Sequence, residues 1–155
     1  MATTQTNSDK TQNMQQTVQT FSWPVRVYYE DTDSGCVVYH ANYLNFMERA
    51  RTEWLRALGF EQTDLKAQLH VIFVVHSMAL QFKSPARFND EIIVQSQLIK
   101  VGQGSIEFTH TITRAAKVLI VANVKLACVD SETFKPTMIP AMAKKAMQNV
   151  SVKNR

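Results

Sequence analysis

The sequence predicts a single α+β domain in which one antiparallel sheet wraps around one long helix. Two observations support this fold class: a single amphipathic stretch long enough for a central helix, and four β-branched segments after it with only short connections. A strand-like segment precedes the helix, so strands and helices do not alternate along the chain. An antiparallel sheet laid over the helix is the simplest arrangement that buries the apolar side of that helix.

The central helix is predicted over residues 41–58, where apolar side chains recur at helical spacing. These apolar side chains are Tyr43, Phe46, Met47, Ala50, Trp54, Ala57 and Leu58. Glu48 lies on the opposite, polar face, where we expect it to form a structural ion pair with a nearby arginine. Gly59 is expected to end the helix. A shorter helix is predicted over 63–68 with Thr63 as its cap.

Five segments show the β-branched or alternating pattern of strands. They cover residues 22–29, 71–82, 91–101, 105–115 and 117–129. Prolines, glycines and a pair of alanines mark short connections between the last four segments. These four strands are therefore predicted to follow one another as an antiparallel meander.

The domain boundaries follow from composition. Residues 1–20 are rich in Thr, Gln, Asn and Ser and are expected to form a disordered extension. The folded domain is expected over 21–140, which leaves 141–155 as a C-terminal tail with a helix at its start. At 155 residues the chain suits one domain, with no internal repeat or linker.

Composition and charge exclude several classes of protein. No apolar run approaches the ~20 residues of a membrane helix, and the N-terminal residues lack the apolar core of a secretory signal. The two cysteines form no CxxC pair, so a cytoplasmic location is expected. The formal net charge of +4 favours a phosphate-bearing small ligand. Nucleic acid is not expected as a partner, because no basic block is interleaved with aromatic residues.

The segment between the first strand and the central helix combines two carboxylates, a glycine and a histidine. Asp31 and Asp33 are followed by Gly35 and His40, and the helix is expected to begin next to them. The free N–H groups of a helix start carry partial positive charge. A carboxylate beside such a group supplies a base or nucleophile and an oxyanion stabiliser, as ester or thioester hydrolysis requires.

Other interpretations of this segment remain open from spacing alone. Aspartate, serine and glycine before a helix are also common as turn and capping residues. Cys36 and His40 form a second possible nucleophile and base pair. An EF-hand loop does not fit, because Asn42 stands where the final glutamate is needed. A haloacid-dehalogenase phosphatase does not fit, because the chain lacks the parallel α/β pattern. No metal-ligand spacing is present, and no metal or cofactor is expected.

A resemblance to a known family distinguishes between these interpretations. It is carried by VRVYYEDTD at 25–33, Gly35, VVYH at 37–40, Asn42-Tyr43 and ERARTE at 48–53. These stretches resemble the 4-hydroxybenzoyl-CoA thioesterase group of hotdog-fold proteins, and the likeness is strongest to members associated with the Tol-Pal envelope complex. The resemblance extends from about residue 21 to 140. It implies a hotdog fold and an acyl-CoA thioesterase, a thioester hydrolase that acts on acyl-CoA substrates.

The resemblance also implies roles for residues. Asp33 matches the catalytic carboxylate, as general base or nucleophile, and His40 and Tyr29 match the residues that accompany it. Backbone N–H groups of Val38, Tyr39 and His40 are implied to polarise the thioester carbonyl. Relatives commonly have a glycine where this chain has Cys36.

The resemblance further implies partners. Family members form dimers by joining sheets edge to edge, and dimers of dimers are common, so a homo-oligomer up to a homotetramer is expected. From their positions near predicted strand ends, Lys83 and Arg87 are candidates for contacts with the phosphates of coenzyme A, and a solvated surface charge is the alternative for each. Acyl carrier protein is an alternative carrier. The alternative function is an adaptor in an envelope-associated complex that binds acyl chains or acyl carrier protein with little turnover.

Overall fold

The computed structural model describes residues 19–151. Its elements in chain order are β1 (Phe21–Arg26), a 3-10 turn (Tyr29–Asp31), α1 (Asn42–Ala57), α2 (Gln62–Leu69), β2 (Val71–Phe82), β3 (Glu91–Val101), β4 (Ser105–Arg114), β5 (Lys117–Asp130) and α3 (Ala141–Val150). The α+β prediction is confirmed. Almost all of the predicted N-terminal extension lies outside the described residues.

The sheet has five antiparallel strands in the order β1-β3-β4-β5-β2. The prediction of a four-strand meander is wrong for β2, which pairs with β5 and forms an edge of the sheet. Strands β3, β4 and β5 are joined by tight turns, whereas residues 83–90 between β2 and β3 form a longer connection. This connection runs past the first turn of α1, where the Val38 amide donates to the Ala86 carbonyl at 2.9 Å.

Helix α1 packs its apolar side against one face of the sheet. Phe46, Met47 and Ala50 are at most 1% exposed and lie in one cluster with Ile92 and Ile112 of the sheet. Truncating a buried Phe or Met to Ala typically costs about 2–5 kcal/mol. The helix therefore forms the centre of the core, as the periodicity predicts.

The ends of the elements show which local signals decide them. Gly59 follows α1 with φ +94°, a left-handed conformation that glycine adopts at little cost. The predicted cap Thr63 is wrong, because α2 begins at Gln62 and places Thr63 inside its first turn. The first strand ends at Arg26 instead of residue 29, because Asp31 Oδ2 accepts the Tyr28 amide at 2.8 Å and begins a turn.

Helix α3 belongs to the packed domain. Its Ala143 and Met147 are fully buried and share a cluster with Trp54 of α1 and Phe108 of β4. This helix lies outside the domain predicted over 21–140, yet it packs against β3 and β4 of the sheet. None of the α-helices in the described part of the chain has the length and apolar character needed to cross a bilayer.

The two edges of the sheet differ. β1 is 6 residues long and contains Pro24, whereas β2 is 12 residues long. No strand of the described residues pairs with the outer side of β2. Val75 and Phe82 on this strand are 47% and 56% exposed. A long apolar edge of this kind is suited to pairing with another strand.

Candidate active site

Asp31 shapes the loop that leads into α1. Its side chain is buried, and its Oδ2 accepts the Tyr28 amide at 2.8 Å. Its carbonyl accepts the Tyr39 amide at 2.8 Å and the Asn42 side-chain amide at 2.9 Å. Because its side chain and its carbonyl both form hydrogen bonds within the protein, Asp31 holds the loop against the start of α1.

Asp33 presents an exposed carboxylate on a tight turn. Its Oδ1 accepts the Gly35 amide at 2.8 Å, and its own amide donates to the Val37 carbonyl at 2.9 Å. A Cβ at Gly35 would lie 3.1 Å from Asp33 Oδ1, so glycine leaves the carboxylate its space. Asp33 Oδ2 forms no hydrogen bond with any residue from 19 to 151. One oxygen is thus fixed while the other is available to a substrate or a water molecule.

A cavity of about 210 Å³, here called the His40 cavity, lies between the start of α1 and the end of β2. It is lined by Val38, His40, Tyr43, Phe82, Lys83, Ser84, Pro85 and Ile120. Two of the predicted site residues, His40 and Lys83, therefore meet at one cavity. Both side chains are exposed, so a ligand in the cavity can reach them from solvent.

Tyr43 in the first turn of α1 supports this cavity and was not predicted as a site residue. Its hydroxyl accepts the Ala86 amide at 2.9 Å, which ties the connection between β2 and β3 to the helix. Burial raises the pKa of Tyr43 above its ordinary value of 10.0, so the hydroxyl stays neutral. The signal in the sequence that could have identified Tyr43 was its place in the Asn42-Tyr43 motif. The apolar spacing of the helix identified it only as a core residue.

The backbone N–H groups predicted to polarise the thioester carbonyl differ in whether they already form a hydrogen bond within the protein. The Val38 amide donates to the Ala86 carbonyl at 2.9 Å, and the Tyr39 amide donates to the Asp31 carbonyl at 2.8 Å. Within residues 19–151 the amides of His40 and Ala41 have no hydrogen-bond acceptor. The His40 and Ala41 amides at the start of the helix are therefore available to a substrate carbonyl. The Val38 and Tyr39 amides already form hydrogen bonds within the protein.

Tyr29 does not join Asp33 in this structure. Its ring is 74% exposed and stacks on Phe88, with centroids 3.7 Å apart and planes 5° from parallel. Its carbonyl accepts the Thr32 hydroxyl at 2.8 Å. Of the residues named with Asp33, the structure thus brings His40 to a cavity and leaves Tyr29 stacked at the surface of the loop.

The two predicted basic contacts flank the Asp33 loop. Arg87 forms a β-bridge with Val37 of that loop, and Lys83 lines the His40 cavity. Both side chains are exposed, and neither forms an ion pair with another described residue. Their charges are therefore available to an anionic ligand beside the loop.

Cys36 occupies the turn with φ +61°. This left-handed conformation favours glycine and costs other residues roughly 1–2 kcal/mol. The thiol is exposed and forms no hydrogen bond with His40 among the described residues. The geometry gives no support to the Cys36 and His40 pair.

A buried hydrogen-bonded network of three side chains, Arg51, His110 and Ser96, was not predicted from the sequence. Arg51 Nη1 lies 3.2 Å from His110 Nε2, and His110 Nδ1 lies 2.8 Å from Ser96 Oγ. Burial, together with Arg51, lowers the pKa of His110 from 6.5 to about 3, so the ring is neutral. The signal was present in the alternation of β4, where Phe108, His110 and Ile112 face the same side.

Glu48 also differs from its predicted role. It forms no ion pair among residues 19–151, although a structural pair with a neighbouring arginine was expected. Its exposed carboxylate instead borders two cavities, one of which also contains Arg51. Glu48 and Arg51 are three positions apart on α1 and line the same cavity, but their charged atoms do not come within 4.0 Å, and Arg51 instead contacts His110.

Comparison with known proteins establishes the family. The family model described as the thioesterase-like superfamily matches residues 27–147. The chain belongs to this superfamily. The matched residues include the Asp33 loop, the residues of the His40 cavity and most of α3. The candidate site therefore lies within the region that the family model matches.

Two relatives and one solved structure support the assignment. The chain is 44% identical over 130 residues to the acyl-CoA thioesterase YbgC of Haemophilus influenzae, covering 84% of this chain and 96% of that protein. It is 46% identical over 121 residues to the acyl-CoA thioester hydrolase YbgC of Escherichia coli, covering 77% and 90%. A crystal structure of a probable thioesterase from Bartonella henselae superposes with a TM-score of 0.76 at 32% identity, covering 79% and 100%. The predicted family and its hotdog fold are confirmed.

Proposed function

We propose that this thioesterase-superfamily chain hydrolyses acyl-CoA thioesters to a free acid and coenzyme A, with Asp33 as general base or nucleophile. The observation that carries the proposal is the Asp33 carboxylate, which is fixed by the Gly35 amide at 2.8 Å and exposed beside the start of α1. The two relatives named above are called acyl-CoA thioesterase and acyl-CoA thioester hydrolase.

The reaction uses groups that the fold leaves available. As a general base, Asp33 Oδ2 takes a proton from a water molecule while that water attacks the thioester carbon. As a nucleophile, Asp33 Oδ2 attacks the thioester carbon directly. The developing oxyanion accepts a hydrogen bond from the His40 amide at the positive end of α1. The imidazole of His40 orients the substrate in its cavity. The coenzyme A thiolate leaves readily, because a thiol with a pKa of roughly 8.5 is a good leaving group.

The phosphates of coenzyme A are proposed to contact Lys83 and Arg87. Replacing both with Ala is expected to raise KM for an acyl-CoA roughly 2- to 30-fold at low salt, since each exposed ion pair contributes about 0.2–1 kcal/mol. The effect should shrink as salt rises, because the charges are screened. Kinetics at two salt concentrations test this, with Lys100→Ala at the far end of β3 as the matched control. An unchanged KM in the double variant would remove the phosphate contacts.

A homo-oligomer is proposed to form through the outer edge of β2. A twofold pairing of this strand with its copy satisfies the free backbone groups and covers Val75. Val75→Glu places a charge in that seam and is expected to shift the chain to monomer, measured by light scattering during size-exclusion chromatography. Met142→Glu on α3, where the side chain is 79% exposed, is the control. The same measurement separates a dimer from a dimer of dimers, and a wild-type monomer would contradict the proposal.

The test of the activity is a panel of acyl-CoA substrates of different chain length, aliphatic and aromatic. Coenzyme A release is best followed by chromatography, because the exposed Cys36 thiol would react with thiol reagents. Hydrolysis of at least one substrate is expected. No turnover together with binding to acyl carrier protein would instead favour the adaptor of an envelope-associated, Tol-Pal-type complex. Cell fractionation is expected to place the chain in the cytoplasm.

A further inference from the structure

A second cavity, here called the Arg51 cavity, lies between the later turns of α1 and the sheet. Its volume is about 310 Å³, which is large enough for a short acyl group. Nine of its twelve lining residues are apolar or aromatic. The lining residues are Glu48, Arg51, Trp54, Leu55, Gln62, Phe73, Val74, Val75, Ile106, Phe108, Leu126 and Met147.

Arg51 is the unusual residue of this wall. Its side chain is 7% exposed, and a guanidinium carries five N–H donors but no acceptor. Within residues 19–151 its one hydrogen-bond partner is His110 Nε2 at 3.2 Å, and no carboxylate lies within 4.0 Å. Among the described residues, Ser151 Oγ is the only fully buried side-chain polar atom that lacks a hydrogen-bond partner. The remaining nitrogens of the Arg51 guanidinium have no partner and are therefore not fully buried. They face open space, which is the cavity that Arg51 lines.

A buried guanidinium without a counter-charge is costly, since moving an ion out of water costs several kcal/mol unless it is paired. His110 does not supply the charge, because its ring is neutral. Burial lowers the pKa of Arg51 and the charge of Glu48 at the same cavity opposes this, but the Glu48 carboxylate is exposed and lies more than 4.0 Å from the guanidinium nitrogens. The group that complements the inner end of the cavity is an anion with two acceptor oxygens, and a carboxylate matches the guanidinium fork.

The cavity also lies where the substrate of the proposed reaction can reach it. Phe73, Val74 and Val75 line it from the edge strand β2. In a twofold antiparallel pair of β2 strands, the end with Phe82 lies beside the end with Phe73 of the second copy. Phe82 lines the His40 cavity, so the two kinds of cavity become neighbours across the seam.

We propose that the Arg51 cavity receives the acyl group of the substrate and selects acyl groups that end in a carboxylate, which the Arg51 guanidinium binds. This inference rests on the proposed hydrolysis of acyl-CoA and adds the class of acyl group. Arg51 is then a specificity-determining residue that binds the far end of the acyl chain. The reaction product is a free dicarboxylic acid.

The first experiment measures kcat/KM for matched pairs of substrates: glutaryl-CoA against pentanoyl-CoA, and adipyl-CoA against hexanoyl-CoA. The wild-type chain is expected to prefer the dicarboxylic member of at least one pair by about tenfold to a hundredfold, as a charge-assisted hydrogen-bonded pair provides. Arg51→Gln should bring the ratio of the two kcat/KM values within the pair close to one, and Arg51→Lys should retain part of the preference. Equal or better hydrolysis of both unsubstituted acyl-CoAs by the wild type would overturn the inference without relying on a variant.

A second measurement separates this inference from the proposed activity. Calorimetry with two thioethers that cannot be hydrolysed, S-(4-carboxybutyl)-CoA and S-pentyl-CoA, reads binding alone. Tighter binding of the carboxylated thioether by about tenfold in the wild type, lost in Arg51→Gln, supports the inference even where no substrate turns over. Equal binding of the two thioethers by a chain that does hydrolyse acyl-CoA overturns the inference and leaves the activity standing.

Discussion

Asp33→Asn is expected to lower kcat/KM for the best acyl-CoA substrate by about 10²- to 10⁴-fold, the range that a general base contributes. The amide keeps an oxygen that accepts the Gly35 N–H, a bond of 2.8 Å in the wild type, so the turn should be retained. What is lost is the negative charge on the free oxygen. Steady-state kinetics with the free energy of unfolding measured in parallel tests the prediction, and we expect stability to change by less than about 1 kcal/mol.

The matched control for this substitution is Glu30→Gln. Glu30 is an exposed carboxylate in the same loop, and it forms no hydrogen bond or ion pair with the described residues. Its loss should leave kcat/KM within about twofold. Near-normal turnover by Asp33→Asn would remove Asp33 from the reaction, and an equal loss in both variants would point to the charge of the whole loop.

Wild-type stability should fall by about 2 kcal/mol more than that of His110→Gln when the pH is lowered from 7 to 5. Burial, together with Arg51, lowers the pKa of His110 in the folded chain from 6.5 to about 3. Between these two values the unfolded chain binds a proton that the folded chain does not, so the free energy of unfolding decreases as pH falls. The loss is about 1.4 kcal/mol per pH unit once the pH is well below 6.5.

Urea unfolding of both proteins at pH 7 and pH 5, at one protein concentration, measures this difference. Gln can accept a hydrogen bond from Arg51 and donate one to Ser96, so it replaces the polar contacts of the ring without the titration. Any hydrogen bond that is weakened by the substitution lowers stability at both pH values and cancels in the comparison. Equal losses in the two proteins would show that the pKa of His110 is not lowered in the folded chain.

Local signals were sufficient for most elements of this fold. The apolar spacing of α1 and the glycine at 59 gave that helix to within one residue at each end. The hairpins that join β3, β4 and β5 were predicted because each has a short connection with residues suited to a turn. Asp33 was predicted by resemblance and lies in a loop whose hydrogen bonds present it to solvent.

Non-local features could not be predicted in this way. The position of β2 beside β5 depends on which face and edge remain free after the other strands pair, and an alternating sequence does not carry that information. The burial of Arg51 depends on His110, which is 59 positions away along the chain. The engagement of the Val38 amide likewise depends on Ala86, which lies in the connection between β2 and β3.

The cysteine in the Asp33 loop gives this chain a natural attachment point for a chemical reporter. Cys36 is exposed, while Cys128 is fully buried with its pKa raised by burial to about 11. A thiol-directed dye at neutral pH will therefore attach to the loop alone, because the reactive species is the thiolate and it must be reachable. The dye would sit three positions from Asp33, so its fluorescence can report the arrival and departure of an acyl thioester in the unmutated protein.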